Sequence, residues 1–500
     1  MGRMVVIGAG MGAMATAARL AVAGHRVTVY ERAESYGGAV ERFERDGFVF
    51  DTGPALLHLP AVYRDLFVKT GKESLERSVE LVQVDPASRH LFADGTEVTL
   101  PNASRAGSVA ALDAALGAGA GERWAEFLVR AREAWDRTRR PLLEEPLRAE
   151  PAPLGRDPYP AVRRRRLLRG ARVAGTLAEV GAWELGDPRL AELLAGYALS
   201  YGVDPRHAPG GAAVLPYLEQ TFGSWYVRGG MRELARAVYE RCRARRVEFV
   251  FGAEVTRVVE KDGAASGVEL ADGSLVEADA VVAGVAPDVL LPAGLPGTTA
   301  APEPGGPSVP GRFTVLLALR GGRDTGAAHR TVVHAPDAGA EAGAVFGGRL
   351  AEPPTVTVIR PDDPATRPDE DHEAVTLTAT VAPQGPVDWS DPGVRARYAE
   401  VVTAAAGAAV PGLRERLLWR EIRTPADTAA RTGAPGGAVP PPALAGAGGR
   451  LLHPANTTGL PGLYRAGGWS HPGGGLAHAG MSGALVAGLV VEGAGFRGSR

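Results

Sequence analysis

Apolar positions fall into short runs whose spacing changes along the chain. Met4-Val5-Val6-Ile7 is unbroken, as a strand buried on both faces requires. From Met14 to Ala23 the apolar and small residues take helical spacing, which Gly24 stops; Arg26–Tyr30 then alternates and ends at Glu31. This predicts a βαβ unit with parallel strands. A hairpin is expected over Arg89–Leu100, turning on Asp94-Gly95. Residues 121–140 predict a helix with Trp124, Phe127, Leu128, Ala131 and Trp135 near one face. A second helix is expected to Trp183, and a third over Arg232–Arg245, feeding strands Val247–Phe251 and Glu254–Val259. After a hairpin at Asp272-Gly273 comes the apolar strand Ala280–Ala283. Alternating runs near 313–320, 330–334, 354–360 and 373–382 predict an antiparallel sheet, followed by a helix near 393–407. A short strand ending near Arg465 and a small-residue helix from Ala477 to Val490 close the pattern. Segments 141–160 and 291–310, rich in Pro and Gly, are expected loops.

Five hundred residues exceed one ordinary core, and 45% hydrophobic with 22% charged residues suits a soluble globular chain. A formal net charge of −2 argues against nucleic-acid binding, which needs a basic field. The basic residues are nearly all arginine, with lysine only at positions 69, 72 and 261. With 67 glycines and 39 prolines, this points to a GC-rich genome, so isolated glycines carry little weight and only their spacing counts. The single cysteine, Cys242, excludes an internal disulfide framework and a multi-cysteine metal site, and no HExxH or comparable histidine spacing occurs. No metal is expected. The N-terminus runs straight into a strand without a secretory pattern, so a cytoplasmic protein is expected. The late apolar run Ala484–Val491 reads as too short and interrupted to span a bilayer.

Chemistry enters with Gly8-Ala9-Gly10-Met11-Gly12-Ala13, between the first strand and the first helix. This is a dinucleotide fingerprint in its required context. Gly8 permits the tight turn, Gly10 lets a pyrophosphate approach the helix N-terminus, and Ala13 allows close helix–strand packing. Glu31 can accept hydrogen bonds from both ribose hydroxyls and would repel a 2′-phosphate, which selects FAD or NAD over NADP. No second nicotinamide fingerprint is present, since Ala445-Gly446-Ala447-Gly448-Gly449 follows no strand. Electrons are therefore expected to pass to oxygen or a quinone.

Beyond Glu31-Arg32 come Gly37-Gly38 and Asp51-Thr52-Gly53-Pro54. This arrangement resembles the two-dinucleotide-binding-domain flavoproteins, whose Gly-Gly segment runs beside the FAD diphosphate. Members carry an arginine soon after that pair; here Ala39 and Val40 stand there, and Arg42 is the nearest substitute. The stretch Phe222-Gly223-Ser224-Trp225-Tyr226-Val227-Arg228-Gly229-Gly230-Met231 resembles the G-x-W-Y-P-x-G-G-M segment of bacterial carotenoid desaturases of the phytoene desaturase type, with Val227 in place of proline. The C-terminal Leu463-Tyr464, Gly467-Gly468 and His471-Pro472-Gly473-Gly474-Gly475-Leu476 resemble the same family's flavin loop.

The resemblance, within the amine-oxidase-like flavoprotein superfamily, implies an α/β fold. A discontinuous Rossmann-like FAD domain would comprise 1–70, 220–290 and 415–500, with an inserted α+β substrate domain of 71–219 and 291–414. It implies an adenine contact through the backbone of Val255. The expected cofactor-binding set is Gly8, Gly10, Gly12, Ala13, Glu31, Arg32, Gly37, Gly38, Gly53, Pro54, Val255, Gly467, Gly468, Gly474, Gly475 and Leu476. The last helix would aim its N-terminus at the flavin pyrimidine ring. The implied activity is desaturation of a carotenoid precursor or related long isoprenoid, a hydrophobic small molecule, by hydride transfer to flavin N5. FAD is expected to be non-covalent, because no cysteine lies in the C-terminal segment. An amine or amino-acid oxidase, and a lipid-carrying protein like the Rab GDP-dissociation inhibitors, are the alternatives on this fold. No base stands out: His471 and His478 are the only candidates, and His471 reads better as a loop residue holding backbone. Residues 160–183 interleave Arg163, Arg164, Arg165, Arg166, Arg169 and Arg172 with Val162, Leu167, Leu168, Val173 and Leu177. This suits either a helix docked peripherally on an anionic membrane surface or a solvated arginine-rich face.

Overall fold

A computed structural model describes residues 2–148, 152–160, 173–286 and 309–498. Its first sheet has five parallel strands in the order Leu463–Arg465, Ala280–Ala283, Arg3–Ile7, Arg26–Tyr30, Glu248–Val250. The apolar run at the N-terminus sits centrally because both its faces are covered. Met4 and Val6 pack under the helices Met11–Val22, Met231–Ala244 and Leu476–Glu492. Val5 and Ile7 pack on the opposite face against the antiparallel meander Val255–Lys261, Ala264–Leu270, Leu275–Glu277. Helices on one face and a meander on the other fit the expected Rossmann-like α/β architecture.

The first and last helices touch through small residues. A Cβ added at Gly483 would lie 2.8 Å from both the Ala15 Cβ and the Thr16 backbone nitrogen. Bulkier residues would part this pair. The stretch Leu476–Gly495 is long and apolar enough to cross a membrane, with mean hydropathy 1.3, which corrects the expectation that this end is too short. Its best window is nevertheless 56% buried within the protein, as for a core helix.

The second sheet has seven strands: Leu417–Arg423, Gly311–Arg320, His372–Val381, Val356–Ile359, Arg330–Val333, Ser88–Leu91, Glu97–Leu100. The hairpin at Asp94-Gly95 and the alternating runs form as expected. The sheet is mixed rather than purely antiparallel, because Arg330–Val333 pairs in parallel with Ser88–Leu91. This pairing joins the two sequence insertions into one sheet. The strand Leu417–Arg423 pairs antiparallel with Gly311–Arg320. That edge therefore belongs to the second sheet, although the expected division at 415 grouped it with the first. Helix Pro392–Ala406, capped by Asp391, covers one face through Tyr398 and Val402. Phe48 and Phe50, from the hairpin Arg42–Asp51, pack on Leu316 and Ala318 of the other face.

The helical layer includes Ala120–Arg139, Pro188–Ser200 and Val214–Phe222. Of the expected helix over 160–183, residues 161–172 lie outside the described residues, and so does its arginine run. A helical turn starts at Leu177 with Thr176 as its cap. The expected loop 291–310 also lies outside, except for its last two residues.

Candidate cofactor site

The fingerprint turn has the geometry its glycines suggest. Gly8 has φ +87°, a left-handed conformation that favours glycine, and its N–H donates to Tyr30 O at 2.7 Å. Gly10 caps the first helix without a side-chain hydrogen bond, and a Cβ added there would meet nothing within 4 Å. The approach to the helix start past Gly10 is thus unobstructed, as an anion requires. Gly12 is different. Its Cβ would lie 2.7 Å from Gly467 Cα and 2.9 Å from Ala479 O, so it serves packing between the two helix starts. Ala13 is also a packing residue, since a Cβ on Gly284 would lie 2.7 Å from its own.

Gly37 and Gly38 lie directly against this turn. Gly37 N–H donates to Ala9 O at 2.8 Å, and a Cβ on Gly38 would lie 3.0 Å from Gly10 Cα. Arg42 does not support this segment. It pairs with Glu44 at 2.5 Å and approaches Glu233 at 3.9 Å. The arginine that holds the segment is Arg232. It donates to Tyr36 O, to Val40 O at 3.0 Å and to Ser35 Oγ at 2.6 Å, and lies 4.1 Å from the Tyr36 ring centroid.

Glu31 ends the second strand beside the turn. Its carboxylate accepts from Ala9 N at 2.6 Å and from Ala33 N at 2.8 Å, and each oxygen retains a further lone pair for a ribose hydroxyl. Ala253 N–H donates to Glu31 O at 2.9 Å, which tethers the entrance of the meander strand carrying Val255. Arg32 turns away from the fingerprint. It donates to Ala430 O at 3.2 Å and Arg431 O at 2.8 Å, the carbonyl end of helix Pro425–Thr432, where a cation is stabilising. Glu31→Ala is expected to lower the flavin content of the purified protein. Full occupancy, read from the absorbance ratio, would contradict the ribose role.

Gly53 lies against the segment after the Gly-Gly pair, since its Cβ would fall 2.0 Å from Ala39 O, and Pro54 beside it is exposed. Asp51 is half-buried against the start of helix Met231–Ala244, where Met231 N–H reaches its carboxylate oxygens at 2.8 and 2.9 Å. Burial pushes its carboxyl up to about 7, against the opposing Met231 and Arg232 backbone N–H groups and Arg42. With the folded value above an unfolded one near 3.8, the folded state holds the extra proton, and stability falls as pH rises from about 4 to about 7. Asp51→Asn keeps an acceptor without the charge. The melting temperature of the variant relative to wild type is expected to rise across that window; a constant difference would contradict it.

The C-terminal loop completes the site. Gly467 N–H donates to Ser482 Oγ at 2.7 Å, and a Cβ on Gly468 would lie 3.3 Å from Gly474 Cα. Gly474 is pressed on the chain, its Cβ position being 1.7 Å from Pro440 O. Gly475 caps the last helix with no side-chain hydrogen bond and is exposed, so a second helix N-terminus is open. Leu476 O accepts from Tyr63 OH at 2.9 Å. His471 is fully buried, and its Nε2–H donates to Glu145 O at 3.0 Å, as expected of a residue holding backbone. Burial lowers the pKa of both His471 and His478 to about 4, so both are neutral near pH 7. Among the described residues no His, Cys, Asp and Glu cluster could hold a metal ion.

Sequence reasoning missed a buried polar centre beside the Trp-Tyr segment. Trp225 exchanges backbone hydrogen bonds with Leu57 at 2.8 and 3.0 Å, which fixes the loop carrying His58. Arg330 Nη1 donates to Glu219 Oε2 at 2.8 Å, and His58 Nε2 lies 3.7 Å from Glu219 Oε1. Tyr201 hydrogen-bonds the same carboxylate. Burial alone would raise the Glu219 pKa, but Arg330, His58 and the hydrogen bonds outweigh it and hold the carboxyl below its usual range.

Two open helix N-termini, a glycine pair against one of them and an acid at the end of the second strand together fit a flavin dinucleotide. The sequence profile of the flavin-containing amine oxidoreductases matches residues 14–311, and the chain belongs to that family. Over nearly its whole length it is similar to desaturases. It is 30% identical to hydroxyneurosporene desaturase of Rhodobacter capsulatus, covering 97% of this chain and 96% of that protein. It is also 30% identical to phytoene dehydrogenase of Streptomyces griseus, covering 87% and 84%. Among solved structures, an oxidoreductase from Methanosarcina mazei superposes with a TM-score of 0.64 at 17% identity, covering 97% and 99% of the two chains. A putrescine oxidase variant gives 0.62 at 14% identity, covering 98% and 99%. At those identities the likeness defines the fold alone.

Proposed function

We propose that the chain is an FAD-dependent desaturase of a carotenoid precursor or a related long isoprenoid. The observation that carries this is similarity to desaturases along nearly the full chain, joined to the two open helix N-termini. The flavin, when bound, supplies the hydride acceptor. The chain's own residues position it. Gly10 and the first-helix N–H groups would take the diphosphate, Glu31 the ribose, and the Val255 backbone the adenine. The Gly475 end of the last helix would favour negative charge on the reduced ring. Gly37, Gly38, Gly53, Pro54, Gly467, Gly468, Gly474 and Leu476 would line the cofactor's path, while Gly12 and Ala13 close the packing behind it. Residues 71–219 and 291–414 would form the substrate domain.

FAD would be held without a covalent bond. Cys242 is fully buried, its thiol donates to Met14 O at 3.2 Å, and burial pushes its pKa up to about 12. Such a thiol is neither exposed nor ionised for attachment. Acid precipitation should release all flavin to the supernatant.

The deciding experiment is incubation of the flavin-loaded protein with liposome-borne phytoene, neurosporene and hydroxyneurosporene, with separation of the products. New conjugated double bonds with a red-shifted spectrum are expected for at least one. No product from any of them, with flavin bound and an artificial quinone acceptor present, would overturn the reading.

A further inference from the structure

We propose that Tyr63 is a positioning residue of the flavin site, whose buried hydroxyl polarises the first peptide of the last helix and raises the reduction potential of the bound flavin. The inference rests on the FAD reading above. Tyr63 belongs to helix Ala61–Gly71, which buries Val62, Tyr63, Leu66, Phe67 and Thr70. The Tyr63 side chain is fully buried, and its hydroxyl donates to Leu476 O at 2.9 Å. Gly480, one turn further along the last helix, leaves room for the phenol. A Cβ there would lie 3.4 Å from Tyr63 Cζ and 2.9 Å from Val62 Cγ1.

A buried phenol needs an acceptor, and the choice of acceptor carries the inference. Leu476 opens the last helix after the Gly475 cap. Its carbonyl and the Ala477 N–H form one peptide group. Among the described residues the N–H groups of Leu476, Ala477 and His478 have no acceptor, as the first turn of a helix leaves them. A hydroxyl on the His478 carbonyl or any beyond it would act on a peptide whose N–H already serves the helix. Ala479 N–H, the first of these, donates to Gly475 O at 2.9 Å.

Leu476 O also takes the helical bond from Gly480 N–H, so both its lone pairs are used. The Gly480 peptide is polarised in turn, since Ala479 O accepts from Ser482 Oγ at 2.7 Å, and Ser482 Oγ accepts from Gly467 N–H at 2.7 Å. Hydrogen bonds in such a chain strengthen one another by about 10–30% each. The chain ends on Ala477 N–H, at the helix start assigned to the pyrimidine end of the ring. Stronger donation there favours the reduced, more negative flavin over the oxidised one. Burial holds the Tyr63 phenol well above its usual range, so the donor is kept at every pH the fold tolerates.

The test compares wild type, Tyr63→Phe and protein carrying a ring-fluorinated tyrosine at position 63, all as holoenzymes. Phenylalanine keeps the ring and removes the donor, whereas fluorine acidifies the phenol and strengthens it. Midpoint potentials are measured by dye equilibration, and FAD dissociation constants in the oxidised and the reduced state. In Tyr63→Phe the equilibrium constant for reduction is expected to fall about twofold to fourfold, a potential about 9–18 mV more negative for two electrons. By linkage, FAD binding should weaken by that same factor more in the reduced state than in the oxidised one. The fluorinated protein should shift in the opposite direction. A role confined to packing would weaken both states equally and leave the potential unmoved. An unchanged potential in Tyr63→Phe, or shifts of one sign in both variants, would overturn the proposal. If Tyr63→Phe yields no folded holoenzyme, the fluorinated protein decides, and a potential at or below that of wild type would overturn it. Wild type that neither retains nor rebinds FAD would instead overturn the FAD reading.

Discussion

Replacing Arg330 with methionine is expected to destabilise the protein by about 3–5 kcal/mol, the cost of leaving a buried partner charge uncompensated. Arg330 and Glu219 are 11% and 7% exposed at their side chains and lie 2.8 Å apart. With the guanidinium gone, the Glu219 carboxylate keeps only His58, which burial holds mostly neutral near pH 7, and the Tyr201 hydroxyl. The Glu219→Leu/Arg330→Met double variant should recover most of the loss, because an apolar pair needs no compensation. The sign of the pH effect follows from Glu219. Its folded pKa lies below the unfolded one, so its stabilising contribution is present above the unfolded value and lost as pH falls through the folded value. The deficit of Arg330→Met should therefore narrow towards acidic pH. Urea unfolding followed by tryptophan fluorescence reads wild type and both variants, on the transition that reports the helical layer around Trp124. A single variant as stable as wild type would show that the pair is dispensable.

The pair also shows where sequence reading stops. The βαβ unit was legible because strand, glycine turn, helix and acid occupy thirty consecutive residues, and each has a local signature. The alternating strands of the second sheet were legible for the same reason. Contacts that complete the sites are not local. Glu219 and Arg330 are separated by 111 positions, and Arg232 reaches the carbonyl of Tyr36 across 196. Neither residue type has a periodicity or a turn signature that announces its partner. Arg32 misled for the complementary reason: it follows the ribose acid in sequence, but its direction is set by the carbonyls of a helix nearly 400 residues later. The edge strand Leu417–Arg423 escaped because most of its residues are half-buried, without the clean alternation that marks a strand with one wet face.

The largest effect on the cofactor is expected from an alanine at Gly10, and the contrast with Gly12 gives it meaning. The two glycines are separated by one residue, and both belong to the expected cofactor-binding set. In the structure a methyl at Gly10 enters space free of protein within 4 Å, while a methyl at Gly12 lies 2.7 Å from Gly467 Cα and 2.9 Å from Ala479 O. Gly10 has φ −72° and ψ 168°, ordinary extended backbone, so alanine there carries no conformational strain. Gly10→Ala should thus fold with a flavin-free stability within about 1 kcal/mol of wild type, as substitutions away from packed sites do. Its methyl would occupy the approach of the diphosphate to the helix N–H groups, and flavin content should fall below a tenth of wild type. Gly12→Ala should lose both, because the first turns of the two helices must separate to admit the methyl, and their backbones carry the cofactor loops on both sides. Flavin absorbance per chain and the melting temperature after flavin removal distinguish the two losses. Gly10→Ala that retains full flavin would place the diphosphate elsewhere, and Gly12→Ala that folds and binds normally would show that the helix contact has slack.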